Sequence, residues 1–414
     1  MRLFEKISML LLFLILINFF YLKTYNLNKS VGYILIICSI VFIFYFKKII
    51  HMRRGYSFNF IVLSFLIIYL VEVIASLIIN KQGLKDVILV SFNNIVLLSY
   101  YIFSYNVIRH KNIKKFELSI IIITALLSGL FIIQFFLYDK GVIFLNITPN
   151  LRFDSLRITD AAIFINIGLI LSFSNFINSY NKLRYRLICL IATILSYFHV
   201  IVIEKTRAIV GIITFCLIIM TIFKYRKKII KITISGLVIL SILLILSTTS
   251  VFVNYVKSYD ENDISFVARQ KSTVYYTSII KENPFFALGF INPHLEDTSF
   301  TLLRGPEGVC YRDDVGIIGF GSTFGILGIG WYLALLVKFV KIIKENIKSH
   351  LINNYLELLG LFVFILLSSV TMIIMDPQRI IMLPVILAIY DYTHQINGEI
   401  NKTNAKPAYA TLIT

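Results

Sequence analysis

The residues of clearest chemical potential in this chain are arginines set in short polar stretches between apolar ones. Arg207 closes the turn Glu204-Lys205-Thr206-Arg207 and starts an apolar run. Arg152 and Arg157 lie in the polar stretch 139–160, and Arg269, Arg304 and Arg312 lie in 251–315. A guanidinium presents a planar fork of donors, so several at fixed positions suit the paired oxygens of a phosphate or diphosphate. An arginine at the end of an apolar helix has the plainer role of an interfacial anchor, and both readings stand for Arg207. Carboxylates accompany the arginines. Asp313-Asp314-Val315-Gly316 leads into an apolar run, where Asp314 either caps a helix N-terminus or serves as a general base. His294, in 251–315, is either a surface residue or a second candidate acid or base. Tyr275, in the same predicted helix as Arg269 but on a different face, joins the candidate substrate contacts. Glu72 stands inside an apolar run, where a charge must be paired or hydrated and marks a functional position by default.

Several familiar chemistries have no residues to run on. The sequence lacks a Gly-rich phosphate loop, a Ser-His-Asp spacing, a two-cysteine ligand pair and a His-Glu-x-x-His helix. His51, His110, His199, His294, His350 and His394 are scattered, so no local metal site is expected and no cofactor is implied. Cys38, Cys189 and Cys216 fall in apolar runs, which leaves only Cys310 in a polar loop and excludes a disulfide framework.

The elements that must position these residues follow from composition. The chain has 414 residues, 58% hydrophobic and 15% charged, with a mean hydropathy of +0.84. A water-soluble domain cannot bury that much apolar surface, so the expected fold is an all-α integral membrane protein. Twelve apolar runs are long enough to read as spans: 7–22, 31–46, 58–80, 87–108, 117–138, 161–178, 187–203, 207–223, 232–250, 316–337, 354–375 and 379–395. The first resembles a secretory signal, but Tyr21-Leu22-Lys23-Thr24-Tyr25 offers no small-residue cleavage site, so it reads as a retained span. Lys and Arg of the short loops gather on the side of the termini, which predicts both termini in the cytoplasm. The acidic Glu117, Glu357 and Asp391 fall on that same side in this scheme. The formal charge of +18 is then a feature of the cytoplasmic leaflet, matched to anionic lipid rather than to nucleic acid, since its clusters abut spans and lack interleaved aromatics.

Four units result: 1–250 with spans one to nine and the smaller external loop 139–160, the large external loop 251–315 between spans nine and ten, 316–395 with spans ten to twelve, and a cytoplasmic tail 396–414. Within the large loop, 264–282 is predicted to be a helix with Asp263 as N-cap and a stripe of Val267, Val274, Tyr275, Ser278 and Ile279. It either lies on the membrane interface or packs, solvated, on the spans. Gly321 and Gly325 of span ten are read as a small-residue packing pair. Asn93, Asn94 and Asn166, also in spans, are expected to face inward.

The arrangement resembles the O-antigen polymerase and ligase superfamily, the Wzy-type and related membrane glycosyltransferases. The likeness covers nearly the whole chain: the span count, cytoplasmic termini, a medium external loop before span six and a large one after span nine. Locally, Thr206-Arg207-Ala208 after a very short external turn, Arg269 followed by Glu282-Asn283-Pro284 and Gly289-Phe290, and Asp314 ahead of Gly325-Ile326-Leu327-Gly328 resemble the family pattern. The Arg157 to Gly168 spacing resembles the arginine–glycine motif of polymerase loops. Where the ligases carry histidine and asparagine, this chain has Asp314 and Val315, which is more similar to the capsular and exopolysaccharide polymerases.

The resemblance implies a metal-independent enzyme of the bacterial cytoplasmic (inner) membrane with its active site facing the periplasm or exterior. It would move a growing glycan from undecaprenyl diphosphate to a sugar hydroxyl of an incoming lipid-linked repeat unit. In that mechanism Arg207 and Arg269, joined by Arg157, hold the diphosphate, with Arg152, Arg304 and Arg312 as further contacts. Asp314 is the first and His294 the second choice of base. Partners would be the undecaprenyl-diphosphate-linked oligosaccharide, membrane lipid, and a chain-length regulator and flippase of the same pathway. A ligase, a lipid-linked oligosaccharide flippase or transporter, and a non-catalytic scaffold are the rival readings. Charges within spans would favour transport, a histidine entering span ten would favour ligation, and arginines around an external cavity favour polymerisation.

Overall fold

The computed structural model describes residues 2–22, 27–51, 55–110, 113–147, 150–152, 155–178, 183–225, 264–294, 297–349 and 355–404. The predicted span 232–250, Asp263 and the first part of the large loop lie outside the described residues. What is described is a helical membrane protein. Seven helices are long and apolar enough to cross a bilayer: Lys29–Ile50, Asn59–Ile79, Leu84–Arg109, Ile113–Tyr138, Leu183–Glu204, Arg207–Tyr225 and Gly316–Lys348. Four shorter apolar helices, Lys6–Leu16, Ala162–Ile177, Tyr355–Ser368 and Ile380–Ile396, fall within or close to the remaining predicted runs. Large apolar side chains cover the outside, among them Phe60, Ile43 and Ile78, each more than 70% exposed. The polar residues Glu72, Asn93, Asn94, Asn166 and His199 are buried. That inversion of the soluble pattern is what a lipid solvent imposes.

In chain order the helices are α1 (Arg2–Leu16), α2 (Leu27–Ile50), α3 (Asn59–Ile79), α4 (Leu84–Ser91), α5 (Ser99–His110) and α6 (Ile113–Tyr138). A two-stranded hairpin follows, β1 (Asn150–Arg152) against β2 (Ser155–Arg157). Next come α7 (Ala162–Ile177), α8 (Leu183–Phe198), α9 (Arg207–Tyr225), α10 (Ile264–Glu282), α11 (Asp297–Arg304), α12 (Gly316–Ser349), α13 (Tyr355–Ser368) and α14 (Leu383–Asn404). α7 packs on α6, α8, α9 and α13, while α12 packs on α3, α10, α13 and α14, so two helix groups share α13. At one end of the bundle, the basic end, lie the lysine-rich helix ends, including Lys47, Lys48, Lys338, Lys341, Lys344 and Lys348. The hairpin, α10, α11 and the turn before α9 sit at the opposite end.

Three predicted elements take a different form. Span four is broken, because Phe92–Leu98 forms a 3-10 stretch between α4 and α5 with Asn93 and Asn94 buried in it. Span eleven is shorter than its apolar run: α13 stops at Ser368, and 369–379 continues as non-helical backbone, buried at 372–376, before the 3-10 turn Ile380–Met382. Hydropathy reports an apolar run in both places but is blind to the backbone conformation within it. The predicted helix 264–282 forms as α10, yet its buried face is Ser272 and Tyr276, while Val274 of the expected stripe is 68% exposed. Polar contacts win over apolar pattern there: Tyr311 N–H donates to Ser272 Oγ at 2.9 Å and Tyr276 Oη donates to the Leu303 carbonyl at 2.5 Å. The helix packs on α12, with Ile280 against Gly321.

The carboxylates of Glu117, Glu357 and Asp391 are also not loop charges; all three are fully buried in the bundle. Asp391 is satisfied there by Ser57 N–H at 2.9 Å, Tyr100 Oη at 2.8 Å and Gln395 Nε2 at 3.0 Å. Gly325 is likewise not a helix-packing residue. It has φ +59° inside α12, and a Cβ there would run into the carbonyl oxygens of Phe285 and Pro284. The loop after α10 uses that gap, with Ile326 N–H donating to Pro284 O at 2.7 Å and Leu288 N–H to Ser322 O at 2.9 Å.

Candidate functional site

The site is assembled where the hairpin meets the turn before α9. Leu156 and Ile158 are buried, and Ile158 N–H donates to Ile203 O at 3.2 Å, so apolar burial and one backbone bond seat the strand end. α8 ends in a π-type turn, His199–Glu204, and Lys205 follows in the left-handed region at φ +51°. This reverses the chain within a few residues. The turn is pinned by its neighbours: Lys205 Nζ donates to Leu156 O at 3.3 Å and lies 5.2 Å from the Phe135 ring centre. Arg157 completes the join, with Nε donating to Glu204 O at 2.9 Å and Nη2 to Thr206 Oγ1 at 2.9 Å.

Around this join, charges from distant parts of the chain meet. Burial pulls the Arg157 guanidinium below its ordinary pKa, the carboxylates of Glu204 and Asp314 act against that shift, and Arg269 acts with it. Arg157, Glu204, Asp314 and Arg269 therefore share one electrostatic neighbourhood. Arg379, from the non-helical stretch before α14, ion-pairs with Asp376 and feels Asp313, Asp314 and Glu204. Asn166 and Thr206 stand beside the Glu204 carboxylate. Arg207 opens α9 directly after this turn and is half-buried. Arg269 keeps a buried Nε with no hydrogen-bond partner among the described residues, as does Arg312 at Nη1. An arginine donor that is buried and unanswered is costly unless something accepts from it. Asp160, which follows the hairpin and lies near Tyr21, has its carboxyl pushed up to about 6 by burial.

The other predicted residues fall outside this neighbourhood. Arg304 stacks on Tyr311 at 4.0 Å from the ring centre, and the Tyr275 hydroxyl donates to Leu302 O at 2.8 Å, so both brace α10 and α11. Arg152 ends β1 in register with Ser155. His294 is exposed and its backbone N–H donates to Asn292 Oδ1 at 3.1 Å. Asn292 in turn bonds Gln82 and Asp86, which places His294 beside the connection between α3 and α4. Glu72 is buried under the same loop: a Cβ on Gly289, at φ +65°, would lie 2.8 Å from Glu72 Oε1. Phe290 N–H donates to Ser76 Oγ at 2.8 Å and Asn80 Nδ2 to Leu288 O at 2.9 Å, so Glu72 marks the seat of the loop.

Two members of the charge group carry little signal in the sequence: Glu204 reads as part of a short turn, and Arg379 reads as the first residue of span twelve. The signal that could find Arg379 is Asp376-Pro377, since proline disfavours helix in the residue before it and marks a break ahead of the arginine. Chemically, the group offers guanidinium forks for phosphate oxygens and carboxylates that can take a proton. Among the described residues no cluster of His, Cys, Asp and Glu has the makings of a metal site. Comparison of the sequence with family models and with curated proteins returns no match.

Proposed function

We propose that this chain is a membrane glycosyltransferase that polymerises lipid-linked glycan repeat units. The observation that carries the reading is that Arg157 and Arg379, from separate segments, meet the carboxylates of Glu204 and Asp314, with Arg269 beside Arg157, at one end of an apolar helical bundle. In this reading the diphosphate of a lipid-linked donor lies against the guanidinium forks, and its lipid tail lies along the apolar flanks of the bundle. The bond between the donor sugar carbon and the diphosphate oxygen breaks, with the electron pair leaving on the diphosphate. The acceptor sugar hydroxyl bonds to that carbon and gives its proton to a carboxylate, for which Asp314 is the first assignment. Fixed positive groups where charge develops on the leaving diphosphate supply the catalysis that a metal would otherwise give. The orientation that fits is cytoplasmic termini with the site on the outer face of a bacterial cytoplasmic membrane, and the substrate is undecaprenyl-diphosphate oligosaccharide. Purified protein given lipid-diphosphate repeat units should yield a ladder of products, and Arg157→Ala and Arg379→Ala should each abolish it.

A transporter of the same lipid-linked substrate is the second reading, favoured by one observation: the 3-10 break at Phe92–Leu98 with two buried asparagines inside a span. Movement of a labelled lipid-diphosphate oligosaccharide across vesicles, without any change in its length, would select it.

A further inference from the structure

A second polar system lies inside the bundle, away from the arginine group. At the basic end, Lys114 Nζ donates to Glu117 Oε2 at 3.3 Å, Glu357 Oε1 at 3.2 Å and Asn175 Oδ1 at 3.2 Å. Tyr185 Oη also donates to Asn175 Oδ1, at 3.2 Å. Both carboxyl groups are fully buried, and the two are close enough to hydrogen-bond each other. Two carboxylates facing one lysine leave one negative charge uncompensated, so a single proton shared by the pair neutralises the group. The titratable neighbours of the pair are Lys114, Tyr185 and Cys189. The Lys114 side chain is 43% exposed, which gives the pair a way out at the basic end.

From this pair toward the site, buried polar groups recur where α6, α7 and α8 meet. Ser172 and Thr193 share a hydrogen bond of 3.0 Å. Thr124 Oγ1 abuts Gly168. His199 is fully buried against the Phe131 ring, 5.4 Å between centres. Among the described residues, several polar atoms on these three elements have no hydrogen-bond partner: Thr124 Oγ1, Ser128 Oγ, Asn166 Oδ1, both ring nitrogens of His199 and Glu204 Oε2. Buried polar atoms are nearly always paired, directly or through water. A row of unanswered ones along a single three-helix interface is not what a structural core requires. Asn166 stands beside Glu204, so the row ends at the arginine group, where the charged neighbours of Glu204 are Arg157 and Arg379.

We propose that the α6–α7–α8 interface is a proton path joining the Glu117–Glu357 pair at the basic end to Glu204 at the other. Carboxyl and histidine chains inside membrane proteins serve as such relays, with hydroxyls and trapped water between them. The pair releases its shared proton toward the interior and takes a replacement from solvent past Lys114. His199 accepts on one ring nitrogen and releases from the other, returning to neutral, and Glu204 receives the proton and passes it to the site mouth. No bond other than O–H and N–H is made or broken. The proposal is independent of the glycan-transfer reading.

The test is proton uptake by the full chain in phosphatidylethanolamine and phosphatidylglycerol vesicles containing a pH-sensitive dye, with a potassium gradient and valinomycin setting the potential. The expected result is uptake several-fold above protein-free vesicles, falling to the protein-free rate in His199→Leu and in the double variant Glu117→Gln, Glu357→Gln. Each variant is compared with the parent by gel filtration and melting. If the pair variant does not fold, His199→Leu decides alone. Uptake at the protein-free rate in the parent, or uptake that His199→Leu leaves unchanged, overturns the proposal.

Discussion

Arg157 reaches from the hairpin to the Glu204 carbonyl and the Thr206 hydroxyl, so one side chain both shapes the turn before α9 and carries charge into the site. The same guanidinium is one of the fixed positive groups proposed to face the leaving diphosphate, so Arg157→Ala should abolish product formation in a folded protein. Arg157→Lys should stay closer to Ala than to the parent, because an ammonium cannot reproduce a two-pronged contact. Initial rates of product formation would check both. Asp160 gives a pH prediction. Its folded carboxyl titrates near 6 against 3.8 for a free one, so the folded protein binds the proton more tightly than the unfolded chain. The resulting stability is complete below about 3.8 and is lost as pH rises through about 6. The melting temperature of the parent should therefore fall across that interval relative to Asp160→Asn, which removes the titration; parallel curves would contradict it. At this scale the sequence exposed the arginines of polar loops, Arg157 and Arg269, because polarity set them apart. Arg379 and Glu204 were hidden because apolar neighbours on one side made them look like span ends.

At the scale of elements, the loop after α10 is held by two glycines that accept conformations and contacts closed to other residues. Gly325 interrupts α12 to admit the carbonyls of Pro284 and Phe285, and Gly289 lies over Glu72 and Ser76. Gly325→Ala should destabilise the protein by about 1 kcal/mol or more, since it adds both left-handed strain and a backbone collision. A lower melting temperature and faster proteolysis within 283–292 would register it, and a surface glycine such as Gly141, with open space around it, should not reproduce the proteolysis. Apolar runs revealed most helices because burial in lipid demands about 20 apolar residues in sequence. The 3-10 break at Phe92–Leu98 and the early stop at Ser368 stayed illegible, since both lie within largely apolar runs whose composition does not report that the backbone leaves the helix.

For the whole molecule, the bundle separates a basic end from a charge-paired end, and a polar interface runs between them. The proposed orientation places Lys344 inside and His294 outside, and both side chains are exposed. All four native cysteines are free and buried, so background labelling should be low. A membrane-impermeant maleimide should label His294→Cys on intact cells and Lys344→Cys only after permeabilisation; the reverse pattern would invert the orientation. The most direct test of the central claim is product length from purified protein and a lipid-diphosphate repeat unit, compared among the parent, Arg157→Ala, Arg379→Ala and Asp314→Ala. The account predicts a ladder of repeats from the parent and none from folded variants of the two arginines, with Asp314→Ala strongly slowed. A folded parent that binds the repeat unit and leaves its length unchanged would contradict it.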